Sequence, residues 1–238
     1  MRKWIIRGAI VLLLLLALLI LFKTIKSDDS WSSWELPLSG KIIVLDPGHG
    51  GPDGGAVGNG TVLEKEIALS ISLQLRDYLQ QAGAFVIMTR ETDKDLADDD
   101  VKGYSRRKTS DLHERLSIIN ESEGDLFLSI HLNAIPSPKW RGAQTFYNPT
   151  NERSQALSLF IQDELRRNLQ NTDRQAKQLS TVFLLKEADI PGALIEVGFL
   201  SNPSERDLLT QEPYQNKIAA SIYQGVLRYF THEAPPEN

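Results

Sequence analysis

Two histidines and one glutamate stand where strongly apolar, strand-like runs end or are interrupted. His49 follows the first run within a glycine-rich turn, His131 ends the second run, and Glu196 interrupts the third. Polar groups at the ends of buried strands are where an open α/β sheet usually builds its site. Because the chain has no cysteine, its histidines and carboxylates are the zinc ligands available, and the pattern predicts a zinc centre with a nearby base. The three runs are Ile42–Leu45, Leu126–Ile130 and Ala193–Ile195.

Only two of the four histidines fit such a site. Glycines on both sides of His49 allow the backbone to bend sharply and a ligand to approach closely. His113 lies on an amphipathic helix and His232 follows the last helix, so we interpret both as solvated or helix-end residues. A phosphate-binding loop is disfavoured for the stretch 48–60, because it lacks the Gly-Lys-Ser/Thr ending of that motif.

The third protein ligand is expected to be a carboxylate, and the pattern leaves two candidates. Glu64 and Glu66 open the first long helix, where acidic residues also favour the helix dipole. They point to different sides of the helix, so at most one of them reaches the metal. Glu196 also has two interpretations: it forms a buried salt bridge with Arg90 or Arg115, or it serves as a general base whose proton affinity burial raises.

Length and composition exclude several classes of protein. A chain of 238 residues is enough for one well-buried domain. The formal net charge of −5 argues against a nucleic-acid binder, which usually presents a basic face. The absence of cysteine excludes disulfides and thiolate metal ligands, and it fits an extracytoplasmic bacterial enzyme.

The N-terminus predicts a membrane anchor or a signal segment over residues 1–26. Basic residues precede the apolar stretch Ala9–Phe22, and a basic flank tends to stay in the cytoplasm. The stretch is shorter than the roughly 20 residues that span a bilayer. No A-x-A-like cleavage site follows it, so a retained anchor is favoured over a cleaved signal. After a tether over residues 27–40, we expect the folded domain over 41–231 and a disordered tail over 232–238.

Short apolar runs alternate with amphipathic segments along the rest of the chain. This alternation predicts one α/β domain, in which a mostly parallel sheet is covered by helices on both faces. The charged segment 92–108 is too long for a plain connection, so we interpret it as a rim of the site or a mobile excursion. The predicted strands are Lys41–Leu45, Phe85–Thr89, Leu126–His131, Ala143–Tyr147, Val182–Leu185 and Ala193–Val197. The predicted helices are Glu64–Gln81, Ser110–Asn120, Glu152–Leu169 and Tyr214–Phe230.

Five ordered motifs spread over almost the whole domain resemble those of the zinc-dependent N-acetylmuramoyl-L-alanine amidases of bacterial cell-wall turnover. The resemblance implies a twisted sheet of about six strands flanked by helices. It also implies one zinc ion held by His49, Glu64 and His131, with Glu196 as the catalytic acid/base. Leu132 stands where alanine is common in the family, which leaves the ligands in place. The motifs are Val44–Gly51, Leu63–Lys65, Thr89–Arg90, Ser129–Ala134 and Ile195–Pro203.

The resemblance also implies a substrate. The expected reaction is hydrolysis of the amide between N-acetylmuramic acid and the L-alanine of the stem peptide, with Asn133 and Arg90 as substrate contacts. Arg90 fits a structural ion pair equally well. Competing functions are a zinc peptidase or deacetylase acting on another wall bond, and a non-catalytic wall-binding module.

The closest subgroup by architecture is that of the germination-specific amidases of spore-forming bacteria. The short N-terminal segment, the absence of wall-binding repeats and the stretch 102–107 carry this resemblance. It implies stripping of stem peptides during spore cortex synthesis so that muramic lactam can form. The expected partners are peptidoglycan, the membrane through the N-terminal segment and a regulatory protein, in the extracytoplasmic space around the forespore.

Overall fold

The computed structural model describes residues 4, 6–8, 12–18, 36–231 and 234–236. The described residues from 37 onwards belong to one compact unit, and those before 37 belong to another, in which residues 4, 6–8 and 12–18 are helical. No helix in the described part of the chain combines the length and the apolar character that crossing a membrane requires. Much of the predicted anchor or signal segment and of the tether, together with His232 and most of the predicted tail, lies outside the described residues, so these boundaries stay predictions.

The domain is built on a six-stranded sheet of order β4-β1-β5-β8-β6-β7. Strand β6 is antiparallel to β8, and the other neighbouring strands run parallel. The short strands β2 and β3 form a separate antiparallel pair. The strands are β1 (Ile42–Pro47), β2 (Val57–Gly58), β3 (Val62–Leu63), β4 (Phe85–Met88), β5 (Leu126–Asn133), β6 (Gln144–Tyr147), β7 (Lys177–Gln178) and β8 (Gly192–Phe199).

Helices cover both faces of this sheet, which confirms the predicted fold class. The helices are α1 (Glu64–Gln81), α2 (Tyr104–Glu121), α3 (Glu152–Leu169), α4 (Phe183–Glu187), α5 (Pro203–Leu209) and α6 (Glu212–Phe230). Two of them begin with a side-chain cap. Asn151 accepts a hydrogen bond from the backbone N–H of Ser154 at the start of α3, and Asn202 accepts one from Glu205 at the start of α5.

The alternation of side chains along the strands divides the core in two. Leu45 and Leu128 point to the larger cluster, where α1, α3 and α6 pack. Val44, Phe127 and Leu194 point to a smaller cluster closed by α2 and α4. The second face is therefore the more thinly covered one, and it leaves room for a cleft.

Three secondary-structure predictions need correction. Val182–Leu185 is not a strand: a short apolar run has no periodicity that separates strand from helix, and here it leads into α4. The sixth strand is the exposed β7 instead, whose polar residues carry no strand signal. Helix α2 begins at Tyr104 rather than at Ser110, because its first turns are polar and partly exposed, so the segment 92–108 is only partly a loop.

Gly225 tests how closely α3 and α6 pack. A Cβ at this position would lie 2.6 Å from the Cα of Ile161 on α3, so the two helices would have to separate. Alanine has the better helix propensity, by about 1 kcal/mol, but overpacking costs about 1–3 kcal/mol and should win. We expect Gly225→Ala to lower the free energy of unfolding, measured by urea denaturation. The control, Lys217→Ala on the exposed side of the same helix, should change it by less than about 0.5 kcal/mol. A gain in stability for Gly225→Ala would contradict the packing.

Candidate active site

Three potential metal ligands converge at the carboxyl edge of the central strands. His49 lies just after β1, His131 lies near the end of β5, and Glu64 is the first residue of α1. One nitrogen or oxygen from each side chain lies within 4.8 Å of the others. Glu66 points away and is exposed, so of the two carboxylates that the pattern left open, it is Glu64 that joins the histidines.

The carboxylate of Glu64 is held in place by backbone groups. It is 3% exposed and accepts hydrogen bonds from the N–H groups of Ala56, at 2.7 Å, and Leu132, at 2.8 Å. The same two oxygens face the imidazoles, at 2.9 Å from Nδ1 of His131 and 3.2 Å from Nε2 of His49. Burial opposes its ionisation, but its hydrogen bonds to the two histidines hold the pKa of Glu64 below its ordinary value.

His49 is oriented from behind by Asp53. The Nδ1 atom of His49 lies 2.9 Å from Oδ2 of Asp53, which turns Nε2 towards Glu64. Burial opposes protonation of the ring, but hydrogen bonds to Asp53 and Glu64 raise the pKa of His49 to about 9. A pocket that stabilises a proton on this imidazole is one that favours positive charge at this point, which is also what a bound cation needs.

Two buried arginines fix the backbone of the loop that carries His49. Arg90 donates hydrogen bonds to the carbonyls of Pro47, at 3.0 Å, and Gly48, at 2.8 Å. Arg115 donates to the carbonyls of Pro47 and His49. The backbone of His49 has a φ of 61°, an uncommon conformation for a residue with a side chain. The arginines therefore hold a strained residue in the orientation that the site uses.

Arg115 is itself neutralised by carboxylates below the loop. It pairs with Asp46 at 2.7 Å and with Asp111 at 2.8 Å. Asp46 is 1% exposed and also accepts hydrogen bonds from Thr89 and Ser129. Burial opposes its ionisation, but the positive charge of Arg115 and the hydroxyl of Ser129 hold the pKa of Asp46 below its ordinary value.

Two glycines are required by the closeness of the site residues. A Cβ on Gly48 would lie 2.4 Å from Cε1 of His131. A Cβ on Gly55 would lie 2.5 Å from Oε2 of Glu64 and 2.6 Å from Cδ2 of His49. Any larger residue at either position would displace at least one of the three potential ligands.

Glu196 lies beside this cluster and has no ion-pair partner among the described residues. It is the register partner of His131 across the parallel pair of β5 and β8. Its side chain is half-buried, and the buried Oε2 atom has no hydrogen-bond partner in the part of the chain that the structure describes. Burial raises the pKa of Glu196 to about 7, and the nearby charge of Glu64 also raises it, whereas the two histidines oppose the shift. The salt bridge considered from the sequence is absent within the described chain, because Arg90 and Arg115 have other partners.

A cleft of about 360 Å³ opens above these residues. Side chains of α2 and α4 line one wall, among them Leu112 and Phe183. The first turns of α2 form a rim, where Tyr104 donates to Asp53 at 2.9 Å and Lys108 pairs with Asp53 at 3.0 Å. Of the two interpretations of the segment 92–108, the rim of the site fits its C-terminal end.

The remaining predicted residues lie apart from the cluster. Arg90 is 1% exposed, and its guanidinium donates to backbone carbonyls. Asn133 ends β5 and is half-buried, and its carbonyl accepts a hydrogen bond from Leu200. His113 is exposed, as expected, with its ring edge-on to Phe183.

Sequence reasoning missed the residues that support the ligands. Asp53 lies four positions after His49, a spacing typical of a local side-chain pair, and this signal was available. Asp46 and Ser129 share the face of the sheet that carries Glu196, which the period of two along each strand also indicates. The pairing of Arg115 with Asp46 spans 69 positions and has no local signal.

The fold and the site define an α/β protein with a candidate metal centre at the carboxyl edge of its sheet. The sequence pattern of the N-acetylmuramoyl-L-alanine amidase family matches residues 43–228, and the chain belongs to this family. It is 60% identical over 222 residues to the germination-specific N-acetylmuramoyl-L-alanine amidase of Bacillus subtilis strain 168, covering 92% of this chain and 93% of that one. The resemblance seen in the motifs is confirmed, and the protein is a peptidoglycan amidase.

Two solved structures support the same assignment. The CwlD amidase from Clostridioides difficile, solved in complex with the GerS lipoprotein, has a TM-score of 0.80 and 43% identity, covering 82% of this chain and 100% of that one. The catalytic domain of CwlV, an N-acetylmuramoyl-L-alanine amidase from Bacillus (Paenibacillus) polymyxa var. colistinus, has a TM-score of 0.70 and 29% identity, covering 81% and 99%.

Gly55 and Gly60 form a matched pair that tests the geometry of the cluster. Both have positive φ, 69° and 75°, but a Cβ at Gly60 would meet nothing within 4 Å. Alanine at either position carries the same backbone strain, of about 1 kcal/mol. We expect Gly55→Ala to weaken zinc binding at least about tenfold, the scale seen when groups that orient ligands are disturbed, and Gly60→Ala to leave it unchanged. A competition titration with a chromogenic chelator measures both. Equal affinities would contradict the proposed closeness of Gly55 to the ligands.

Asp46 should stabilise the fold in a pH-dependent way. Its pKa in the folded protein is lowered, so its contribution is present above the ordinary value of 3.8 and is lost as the pH falls below it. We expect Asp46→Asn to lower the free energy of unfolding by about 3 kcal/mol at neutral pH in metal-free buffer. The difference from the wild type should shrink in acid. Asp77→Asn, which removes an exposed partner of Arg76, should matter by less than about 0.5 kcal/mol. A deficit for Asp46→Asn that is constant with pH, in urea denaturation, would contradict this role.

Proposed function

We propose that this protein hydrolyses the amide between the lactyl group of N-acetylmuramic acid and the L-alanine of the stem peptide, using one zinc ion held by His49, Glu64 and His131. The observation that carries the proposal is the convergence of these three side chains beside Glu196, a carboxylate with a buried and unpartnered oxygen. Membership of the amidase family indicates which kind of bond is cleaved, and the cluster indicates which groups would cleave it.

The donor set fits zinc. Two imidazole nitrogens and one carboxylate are a ligand set that catalytic zinc sites use, and the chain offers no thiolate. Asp53 on the far nitrogen of His49 is the kind of outer carboxylate that orients a ligating imidazole. When bound, zinc supplies a Lewis acid that polarises water and the amide carbonyl.

Glu196 moves the proton. Its Oε2 atom has no competing partner, so it is free to accept a proton from the attacking water and to return it to the leaving amine of L-alanine. A pKa raised to about 7 by burial suits both steps at neutral pH. A bound cation nearby lowers this value, which favours the basic form for the first step.

Arg90 and Asn133 receive different roles in this proposal. Arg90 supports the loop of His49 through its carbonyl contacts and does not meet the substrate. Asn133 remains a substrate contact, because it ends the strand that carries His131 at the edge where the cleft opens.

The biological role follows from the relatives. The germination-specific amidase of Bacillus subtilis supports a role in spore cortex synthesis, where stem peptides are removed so that muramic lactam can form. Peptidoglycan places the enzyme outside the cytoplasm, around the forespore in a spore former. We retain the division into an N-terminal segment over 1–26, a tether over 27–40 and the amidase domain over 41–231. The complex of the Clostridioides difficile relative with a lipoprotein supports a regulatory protein partner here.

The direct test is mass spectrometry of spore-type peptidoglycan incubated with the full-length protein, with zinc and with a chelator. The proposal predicts free stem peptides that begin with L-alanine, together with peptide-free muramic acid, only when zinc is present. Fragments cut within the stem peptide would indicate a peptidase instead, and released acetate would indicate a deacetylase. Intact side chains in a zinc-loaded sample would contradict the proposal.

Glu196→Gln separates proton transfer from metal binding. We expect this variant to keep one zinc ion by elemental analysis and to lose about 10²–10⁴-fold in turnover, because the amide of glutamine does not accept the proton of the attacking water. His49→Ala is the matched comparison and should lose the metal. The role of Glu196 would be wrong if its variant lost zinc, or if it retained wild-type turnover.

A further inference from the structure

A second and larger concavity, of about 910 Å³, lies outside the cluster and contains none of its residues. We call it the basic groove. It is formed by the loop 139–141, the C-terminal end of α3 and the loop 170–174. Five cationic side chains line it, together with two acidic ones: Lys139, Arg141, Arg166, Arg167, Arg174, Asp163 and Asp173.

The basic groove carries an excess of positive charge in a chain whose formal net charge is −5, with Arg167 paired to Glu164 and the carboxyl group of Glu205 near Arg141 and Arg174. The carboxylate of Asp163 forms a salt bridge with Arg228. In the described part of the chain, Lys139, Arg141 and Arg174 form no salt bridge with an acidic side chain. A concentrated positive patch on an acidic protein attracts an anionic ligand to that place and not to the rest of the surface.

An aromatic platform stands in the same groove. Trp140 is 51% exposed, and the guanidinium of Arg174 lies 5.4 Å from its ring centroid. Arg174 is held in this position by hydrogen bonds to the carbonyl of Arg141, at 3.2 Å, and to Oε1 of Gln144, at 3.1 Å. A flat exposed ring beside cations that are held in place suits a ligand that carries sugar rings as well as negative charges.

The basic groove opens at the same edge of the sheet as the cluster. Gln144, which Arg174 contacts, is the register partner of Glu196 across the antiparallel pair of β6 and β8. The loop 139–141 follows β5 and precedes β6, so it leaves the sheet where β5 and β8 end. The cleft lies on the face covered by α2 and α4, and the groove lies beside the C-terminal end of α3 on the other face, so a polymer with one unit in the cleft would reach the groove by crossing this edge.

We propose that the basic groove binds the neighbouring units of the peptidoglycan strand, with Trp140 against sugar rings and Lys139, Arg141 and Arg174 on stem-peptide carboxylates. This inference rests on the proposed function and names how its substrate is held. The cleft of about 360 Å³ accommodates the unit that is cut, and a polymer must place its other units outside it. The groove supplies affinity for the polymer rather than chemistry.

The test is co-sedimentation of the full-length protein with purified sacculi, at low and at high salt. All forms carry Glu196→Gln so that the sacculi stay intact. The groove variant is Lys139→Gln/Arg141→Gln, which removes two charges without removing a described hydrogen bond. The control is Arg153→Gln/Lys217→Gln, which removes two exposed charges elsewhere. We expect about fivefold weaker binding for the groove variant at low salt, a smaller difference at high salt, and wild-type binding for the control.

Chemically modified sacculi identify the anion. The difference between groove variant and control should persist after phosphate polymers are stripped, and it should vanish after the carboxylates are converted to amides. If the difference between groove variant and control disappeared once the phosphate polymers were stripped, the groove would bind a phosphate polymer and the inference would be overturned. Equal binding of groove variant and control would overturn it as well. Trp140→Ala should weaken binding to sacculi in the same way. Unchanged binding would show that the ring of Trp140 does not contribute.

Turnover measurements distinguish the proposed amidase function from the proposed role of the basic groove. With Glu196 restored, the ratio of kcat/KM on sacculi to kcat/KM on a single disaccharide-peptide should fall about fivefold in the groove variant and stay constant in the control. Cleavage of neither substrate by the wild type would refute the proposed function, while the sedimentation result would still decide the groove. Cleavage of both with an unchanged ratio would refute the groove alone.

Discussion

The hydrogen bonds from Arg90 and Arg115 to the loop of His49 are the constraint on which the site depends. They occupy the carbonyls of Pro47, Gly48 and His49, which are buried or partly buried at these contacts. Unpaired buried carbonyls and guanidinium groups are each unfavourable, and here they satisfy one another. These contacts hold the loop from below the cleft and maintain the positive φ of His49.

This arrangement explains why the site lies on the more thinly covered face of the sheet. Asp46, Ser129 and Glu196 alternate with core residues and point towards α2 and α4, which close a small cluster and leave a cleft. Arg115 extends from α2 into this space and pairs with Asp46. The same face thus carries a paired carboxylate below the loop and an unpaired one beside the potential ligands. The first stabilises the loop, and the second is available to move a proton.

The sequence pattern predicted those elements whose structure depends on residues close together in the chain. The helix Glu64–Gln81 was predicted with its observed bounds, because its apolar stripe and the glycine beyond its end are both in the sequence. The strand ends that carry His49 and His131 were also predicted. The short run at Val182 was assigned wrongly because it lacks periodicity. The pairing of Arg115 with Asp46 and the path of the basic groove arise from contacts between distant segments, so they required the fold.

We propose that two histidines and one glutamate hold a single zinc ion at this loop. X-ray absorption spectroscopy at the zinc edge, on full-length protein loaded with one equivalent of zinc, measures this directly. We expect a four-coordinate shell of nitrogen and oxygen at about 2.0–2.1 Å, with the signature of two imidazoles. A six-coordinate oxygen shell without imidazole scattering would contradict the account.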